Sequence, residues 1–182
     1  MREKERLRTA LKKMVKDRTE ESQQLDDLRS CQTLLTDETY LRARRLFAFY
    51  PIAGEVNIHP ILSDALEHKL LALPTTLDNG ELHFRIVEDF STLRRGSFGI
   101  CEPIEGLTIT PTADDLMLVP ALAYTREGQR LGRGKGYYDR YLALHALVPT
   151  VGMCRGYQLL ESLPNQGWDR PVDRVLCEGI FY

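Results

Sequence analysis

Apolar residues change their spacing along the chain, and the change marks where helices give way to strands. Leu7, Leu11, Met14 and Val15 fall on one face of a first helix, and Leu25, Leu28, Cys31 and Leu35 on one face of a second. A third helix is expected behind Thr36 as its N-cap, with Asp37 and Glu38 in the first turn. Thr39 stands where a capping box would place Glu or Gln. The pattern then tightens into short apolar runs. Leu46 to Tyr50, closed by Pro51, reads as a buried strand. His59 to His68 carries Ile61, Leu62, Ala65 and Leu66 at helical spacing, with Pro60 in the first turn. Leu70 to Leu73, ended by Pro74, predicts another strand. Leu82 to Val87 alternates behind the turn Asp78-Asn79-Gly80, which predicts a hairpin. Leu116 to Ala123 is the clearest buried strand, and Thr150 to Cys154 and Val175 to Cys177 are two more. Strands alternating with helices predict one α/β domain over residues 1–182. Its sheet is expected to be mostly parallel, with helices on both faces in a Rossmann-like, three-layer α/β/α arrangement.

Composition narrows the function classes. A chain of 182 residues can bury roughly 70% of its unfolded surface, so it needs neither disulfides nor a structural metal to fold. With 43% apolar and 27% charged residues it has the profile of a soluble protein rather than a disordered or fibrous one. The 24 basic and 26 acidic residues nearly cancel, which argues against a general polyanion binder. The four cysteines are scattered, without a C-x-x-C pair or a histidine at ligand spacing. No apolar run is long enough to span a bilayer, and the first eighteen residues, with eight Lys or Arg against three acids, lack the apolar core of a signal peptide. A cytoplasmic, reduced protein is expected, with its basic first helix packed on its own domain rather than on a membrane.

The chemistry is concentrated between Leu116 and Leu142. A buried strand leads to a loop holding Gly128, Gly132, Gly134 and Gly136, and a helix follows with Tyr138, Tyr141, Leu142 and His145 at helical spacing. Glycines allow close backbone approach, and the first amides of a helix together with its dipole favour an anion. Arg130, Arg133 and Lys135 add cations suited to a polyphosphate. The spacing is not that of a P-loop, because Gly136 stands where Ser or Thr is needed. Nor is it the dinucleotide fingerprint, because Asp139 occupies the last glycine position. From the residues alone, four readings stay open: a phosphate loop, a sulfate-like anion site, a glycine-rich turn with solvated charges, and an RG-type nucleic-acid segment.

The run RLGRGKGYYDRYL closely resembles the signature of the 5-formyltetrahydrofolate cyclo-ligases, also called methenyltetrahydrofolate synthetases. Other stretches follow that family in order: Lys4-Glu5-Arg6-Leu7-Arg8; Tyr50 with Glu55-Val56; Phe98-Gly99-Ile100 with Glu102-Pro103; then Gly152, Gln158, Leu163-Pro164, Asp169, Pro171-Val172-Asp173 and Glu178. Two departures stand out. Cys177 replaces a frequent Thr, and Cys154-Arg155-Gly156-Tyr157 replaces a more apolar stretch.

The resemblance implies an ATP- and Mg2+-dependent ring closure of 5-formyltetrahydrofolate to 5,10-methenyltetrahydrofolate, with ADP and phosphate released. It implies that Lys4, Arg8, Arg130, Leu131, Gly132, Arg133, Gly134, Lys135, Gly136, Tyr137 and Tyr138 bind ATP, with Arg133 and Lys135 acting in catalysis. Tyr50, Glu55, Phe98 and Tyr137 would contact the folate, and Asp139 and Asp173 would hold magnesium. Each role has a plainer counterpart: Asp139 as a first-turn acid, Asp173 as a turn cap, Glu55 as a loop charge, Lys4 and Arg8 as helix-surface cations, Tyr138 as core. Trp168 and the cysteines are expected to be structural, and the histidines to have no catalytic role. Small-molecule partners are expected, namely a reduced folate and ATP, with no nucleic acid and no membrane, on a monomer. The rivals are a non-catalytic folate- or nucleotide-binding regulator, a nucleic-acid module, and another ATP-using enzyme on the same scaffold.

Overall fold

The computed structural model describes residues 2–16, 20–77, 80–96 and 99–182. Three helices open the chain, α1 (Arg2–Lys16), α2 (Glu20–Leu35) and α3 (Glu38–Arg42), followed by β1 (Arg45–Phe47), α4 (His59–His68), β2 (Leu70–Thr76) and β3 (Leu82–Val87). Short strands come next: β4 (Leu93–Arg95), β5 (Cys101–Pro103), β6 (Thr108–Ile109), β7 (Leu116–Val119), β8 (Ala123–Tyr124) and β9 (Arg130–Leu131). The chain ends with α5 (Tyr137–Leu144), β10 (Thr150–Cys154), β11 (Arg174–Cys177) and β12 (Ile180–Phe181).

The main sheet has eight strands in the order β12-β11-β10-β7-β1-β2-β3-β6. β11, β10, β7, β1 and β2 run parallel, whereas β12 and β3 pair antiparallel with their inner neighbours. Alternate residues of the parallel strands feed two cores. Leu46, Leu71, Leu116, Val151 and Leu176 pack with Leu34, Tyr40, Ile61 and Leu62 of α2, α3 and α4. Phe47, Ala72, Met117 and Val175 face the other way, toward Tyr141 and Leu142 of α5. The expected three layers are present. α1 docks apart from both cores, burying Leu11 against Leu122, Leu131 and Leu163, while Met14 of the expected stripe is half exposed. The side chain of Val15 and the turn residues Asp78 and Asn79 lie outside the described residues.

Several local expectations are corrected. The N-cap of α3 is Asp37, whose carboxylate accepts the Thr39 amide at 3.0 Å. β1 stops at Phe47, short of Tyr50. β2 runs through Pro74 to Thr76. Ala72 O accepts the Ala48 amide, so the nitrogen of residue 74 points to the same edge, beyond the end of β1, where no donor is needed. The stretch from Leu116 to Ala123 is two strands, because Pro120 ends β7 and Ala123 opens an antiparallel hairpin with β9.

The largest correction is the rotation of α2. Leu25 and Leu28 are about half exposed, and the inward face carries Asp27, Ser30, Cys31 and Leu34. Its polar members have partners far along the chain. Asp27 receives Arg155 as a bidentate pair, Nε to Oδ1 and a terminal nitrogen to Oδ2, both at 2.8 Å, and also the Asn57 amide at 2.8 Å. Ser30 Oγ accepts the Gly179 amide at 3.1 Å. A buried Asp is tolerated when paired and hydrogen-bonded, and a helical spacing rule applied to apolar residues passes over it. Both partners are nearly buried, with side-chain exposures of 7% for Arg155 and 6% for Asp27. Asp27→Ala is therefore expected to destabilise the fold by about 3–5 kcal/mol by stranding the guanidinium. Replacing both residues by apolar ones of similar volume is expected to recover most of that loss. Urea midpoints of the single and double variants check this, and equal losses in both would remove the pair from its stabilising role.

Candidate functional site

Numbering the five parallel strands in chain order gives the spatial order 2-1-3-4-5, with the reversal between β1 and β7. Crossovers leave a reversal point in opposite directions, so a crevice opens beyond the carboxyl ends of those two strands. A cleft of about 850 Å³ lies there. One wall comes from the chain after β1 (Phe49, Tyr50, Ile52, Glu55), and Pro120 and Ala121 follow β7. The glycine-rich loop, the start of α5 and the first two turns of α1 complete it.

The loop owes its shape to its glycines. Gly134 has φ +106° and Gly136 φ +67°, in the left-handed region where a Cβ is strained. A Cβ on Gly134 would also lie 3.3 Å from the Arg8 guanidinium carbon. Gly136 is the N-cap of α5 and no side chain caps that helix, so the amides at its start keep their dipole directed at the cleft. Arg140, which also lines the cleft, braces the loop, donating to Lys135 O at 3.0 Å and Gly80 O at 2.8 Å.

Cations meet carboxylates across elements. Lys4 of α1 pairs with Asp169 at 2.5 Å, and Arg8 Nε donates to Gly132 O at 2.9 Å. Arg130, nearly buried, donates to Asp139 Oδ1 at 2.7 Å and to Arg170 O at 2.9 Å. Arg133 donates twice to Glu55 Oε1, at 2.9 and 3.3 Å. Glu55 is held in place by its own backbone: Arg155 donates to Glu55 O at 2.8 Å, and Gln158 Nε2 donates to Gly54 O at 3.2 Å. The departure at Arg155 thus joins α2 to the wall that carries Glu55. Burial pushes the Glu55 carboxyl above its ordinary range, more strongly than Arg133 and the Ile52 amide pull it down.

Lys4, Arg8, Tyr50, Glu55, Arg130, Leu131, Gly132, Arg133, Gly134, Lys135, Gly136, Tyr137, Tyr138 and Asp139 all line the cleft. Phe98 lies outside the described residues. Asp173 is not among the lining residues; it sits before β11, at the opposite ends of the strands. There its Oδ2 accepts the Thr150 amide and hydroxyl, each at 2.7 Å, in the capping role that was its plainer reading. Tyr138 lines the cleft with its ring packed into the core, Arg130 over one face at 6.0 Å and Phe84 against it at 6.5 Å. Sequence reasoning missed Glu102 as a wall residue, where it accepts from Thr76 N and Oγ1. It also missed Trp168 and Asp169, which only the folded chain brings to the rim.

Together these features define a doubly wound α/β protein with a cation-rich cleft at its strand reversal. The chain belongs to the 5-formyltetrahydrofolate cyclo-ligase family, whose family model matches residues 1–178, and it is thereby an enzyme of the ligase class. It is 28% identical to the 5-formyltetrahydrofolate cyclo-ligase of Mus musculus, over 94% of this chain and 92% of that protein. It is 29% identical to that of Escherichia coli K12, over 87% and 91%. The NMR structure of Aquifex aeolicus 5,10-methenyltetrahydrofolate synthetase superposes with a TM-score of 0.87 at 32% identity, covering 98% of this chain and 91% of that one. A synthetase from Mycoplasma pneumoniae shares the fold, with a TM-score of 0.76 at 22% identity over 95% and 97%. No helix among the described residues is long and apolar enough to cross a membrane.

A carboxyl whose native pKa is raised contributes stability below its unfolded value and loses that contribution as pH rises through the native value. Glu55 should therefore make the wild type lose stability relative to Glu55→Gln as pH climbs from the ordinary 4.5. Urea midpoints of both proteins across the acid range measure that difference; a difference that does not change with pH would mean burial does not govern this carboxyl.

Proposed function

We propose that this protein closes 5-formyltetrahydrofolate to 5,10-methenyltetrahydrofolate at the expense of ATP, releasing ADP and phosphate. The observation that carries this reading is the open start of α5. Its uncapped amides and the glycine loop lie within one cleft with Lys4, Arg8, Arg130, Arg133 and Lys135, beside a wall bearing Tyr50 and the buried Glu55. A triphosphate fits the first feature and a flat, N–H-bearing ring the second.

In this reading the formyl oxygen attacks the γ-phosphorus, and the bond from that phosphorus to the β–γ bridging oxygen breaks, releasing ADP. N10 then adds to the activated carbon and loses its proton, and phosphate departs with the former formyl oxygen. An amide oxygen is a poor nucleophile and hydroxide a poor leaving group, so phosphorylation answers the second difficulty while positioning answers the first. Arg133 and Lys135 are the residues we assign to the transferred phosphoryl group, where charge accumulates. Glu55 accepts ring N–H groups, and Tyr50 and Tyr137 bound the folate side. Leu131 contributes its main chain, since its side chain is buried against α1.

Magnesium fits the residues present in a limited way. No group of three or more His, Cys, Asp or Glu side chains among the described residues could hold a metal. Asp139 Oδ1 is taken by Arg130 and the Arg170 amide, while Oδ2 has no hydrogen bond among the described residues and lies at the loop. One carboxylate with phosphate oxygens and water suits Mg2+, a hard ion that keeps much of its hydration. When bound, the ion would neutralise phosphate charge; Asp139 would be the carboxylate that holds it, and it already holds Arg130.

Mixing the protein with 5-formyltetrahydrofolate and magnesium ATP should produce the near-ultraviolet band of the methenyl product, with none when any component is omitted. Arg133→Ala and Lys135→Ala should each cut ATP-dependent turnover roughly ten- to a hundredfold in folded protein. Unchanged turnover in both would remove the phosphate-loop assignment. Asp139→Asn should raise the magnesium concentration needed for half-maximal rate, and an unaltered magnesium titration would return Asp139 to a purely structural role.

A further inference from the structure

Trp168 is the single tryptophan of the chain, and it is 66% exposed at the rim of the cleft. That exposure overturns the expectation of a structural indole. Exposed aromatics are common, but this one sits on a loop fastened on both sides of it. The Asp169 amide donates to Gln166 O at 2.8 Å, and the Gln166 amide donates to Asp169 Oδ2 at 2.7 Å. Asp169 also holds Lys4 of α1, and the Arg170 amide donates to Asp139 Oδ1 at 3.1 Å in the first turn of α5. Arg130 of β9 reaches Arg170 O. The backbone around the indole is thus tied to α1, β9 and α5, the three elements that form the anion loop and its cations. Tyr50 and Glu55 lie on the other wall, after β1.

Of the other cleft aromatics, Phe49 is buried in the core, and the rings of Tyr50, Tyr137 and Tyr138 have neighbours. Tyr50 meets His59 and Phe90 edge-on, at 4.9 and 6.0 Å between centroids. Tyr137 has the Arg140 guanidinium over it at 5.4 Å, and Tyr138 lies beneath Arg130. Among the described residues no ring or cation lies on the face of Trp168. We propose that Trp168 is the platform on which the base of the nucleoside triphosphate stacks, the triphosphate running from there over residues 132–136. The proposal rests on reading the cleft as an ATP site. Because every base presents a π-face, such a platform holds a purine without reading its edge, so ATP and GTP should differ little in affinity.

A single indole makes the test direct. Its emission should fall in a saturable way as ADP and Mg2+ are added, and stay constant with inorganic tripolyphosphate, which carries charge without a base. Trp168→Ala should raise KM for ATP roughly tenfold, with KM for 5-formyltetrahydrofolate unchanged. Trp168→Phe should restore most of the ATP affinity, which a merely structural role on an exposed loop would not require. Calorimetry separates the ways of failing. If ADP binds wild type and Trp168→Ala equally and leaves the emission unmoved, the platform is overturned and the ATP site stands. If ADP does not bind wild type at all, the ATP reading falls and this proposal with it. A loss confined to the folate would place the indole on the other substrate, which also overturns the proposal.

Discussion

Reversal of the strand order between β1 and β7 is the constraint from which the working parts follow. The connections leaving these two neighbours diverge, so neither can fill the space above their carboxyl ends. The chain after β1 supplies Tyr50 and Glu55, and the chain after β7 supplies Pro120, Ala121 and, by way of the β8–β9 hairpin, the glycine loop. The opposite ends of the strands are closed by polar groups that satisfy one another. Arg45 pairs with Asp115 at 2.5 Å, Arg174 with Asp37 at 3.0 Å, and Asp173 with Thr150. One end of the sheet is therefore locked and the other left open to a ligand.

The open end gathers cations that would repel one another if they stood alone. Three are matched to carboxylates on different elements: Lys4 to Asp169, Arg130 to Asp139 and Arg133 to Glu55. Such pairs fix side chains that otherwise carry much rotamer freedom, so the cost of ordering them does not fall on ligand binding. They also set the order of support. Asp27 holds Arg155, Arg155 holds the backbone of Glu55, and Glu55 holds Arg133. A polar chain thus runs from the buried face of α2 to the glycine loop. Cys154 and Cys177 stay in the core: they are register partners on β10 and β11, both buried, and neither lines the cleft.

Where local chemistry dominated, residues and structure agree. α4 spans His59–His68 and β10 spans Thr150–Cys154 as their patterns predict, because α4 buries one regular apolar face and β10 is a short run buried on both. The glycine loop was legible for the same reason, since positive φ at Gly134 and Gly136 is a local demand. The rotation of α2 was not. Its exposed Leu25 and Leu28 and buried Asp27 obey partners more than a hundred residues away in the chain, which periodicity does not contain. Trp168 departs in the opposite sense: the expectation was a structural residue, and its loop is held at the rim by Lys4 and Asp139 from two other elements.

The amino-acid sequence by itself determined the alternation of helices and strands, the glycine loop and the family. These depend on spacing, glycine conformation and charge within a few residues of one another. Tertiary structure alone decided which carboxylate answers which cation, that Asp139 reaches the cleft while Asp173 staples the far end of β10 and β11, and that a tryptophan stands at the rim of the cleft. The physical reason is distance along the chain. A buried or paired charge is stable only beside its partner, and only the strand order brings those partners together.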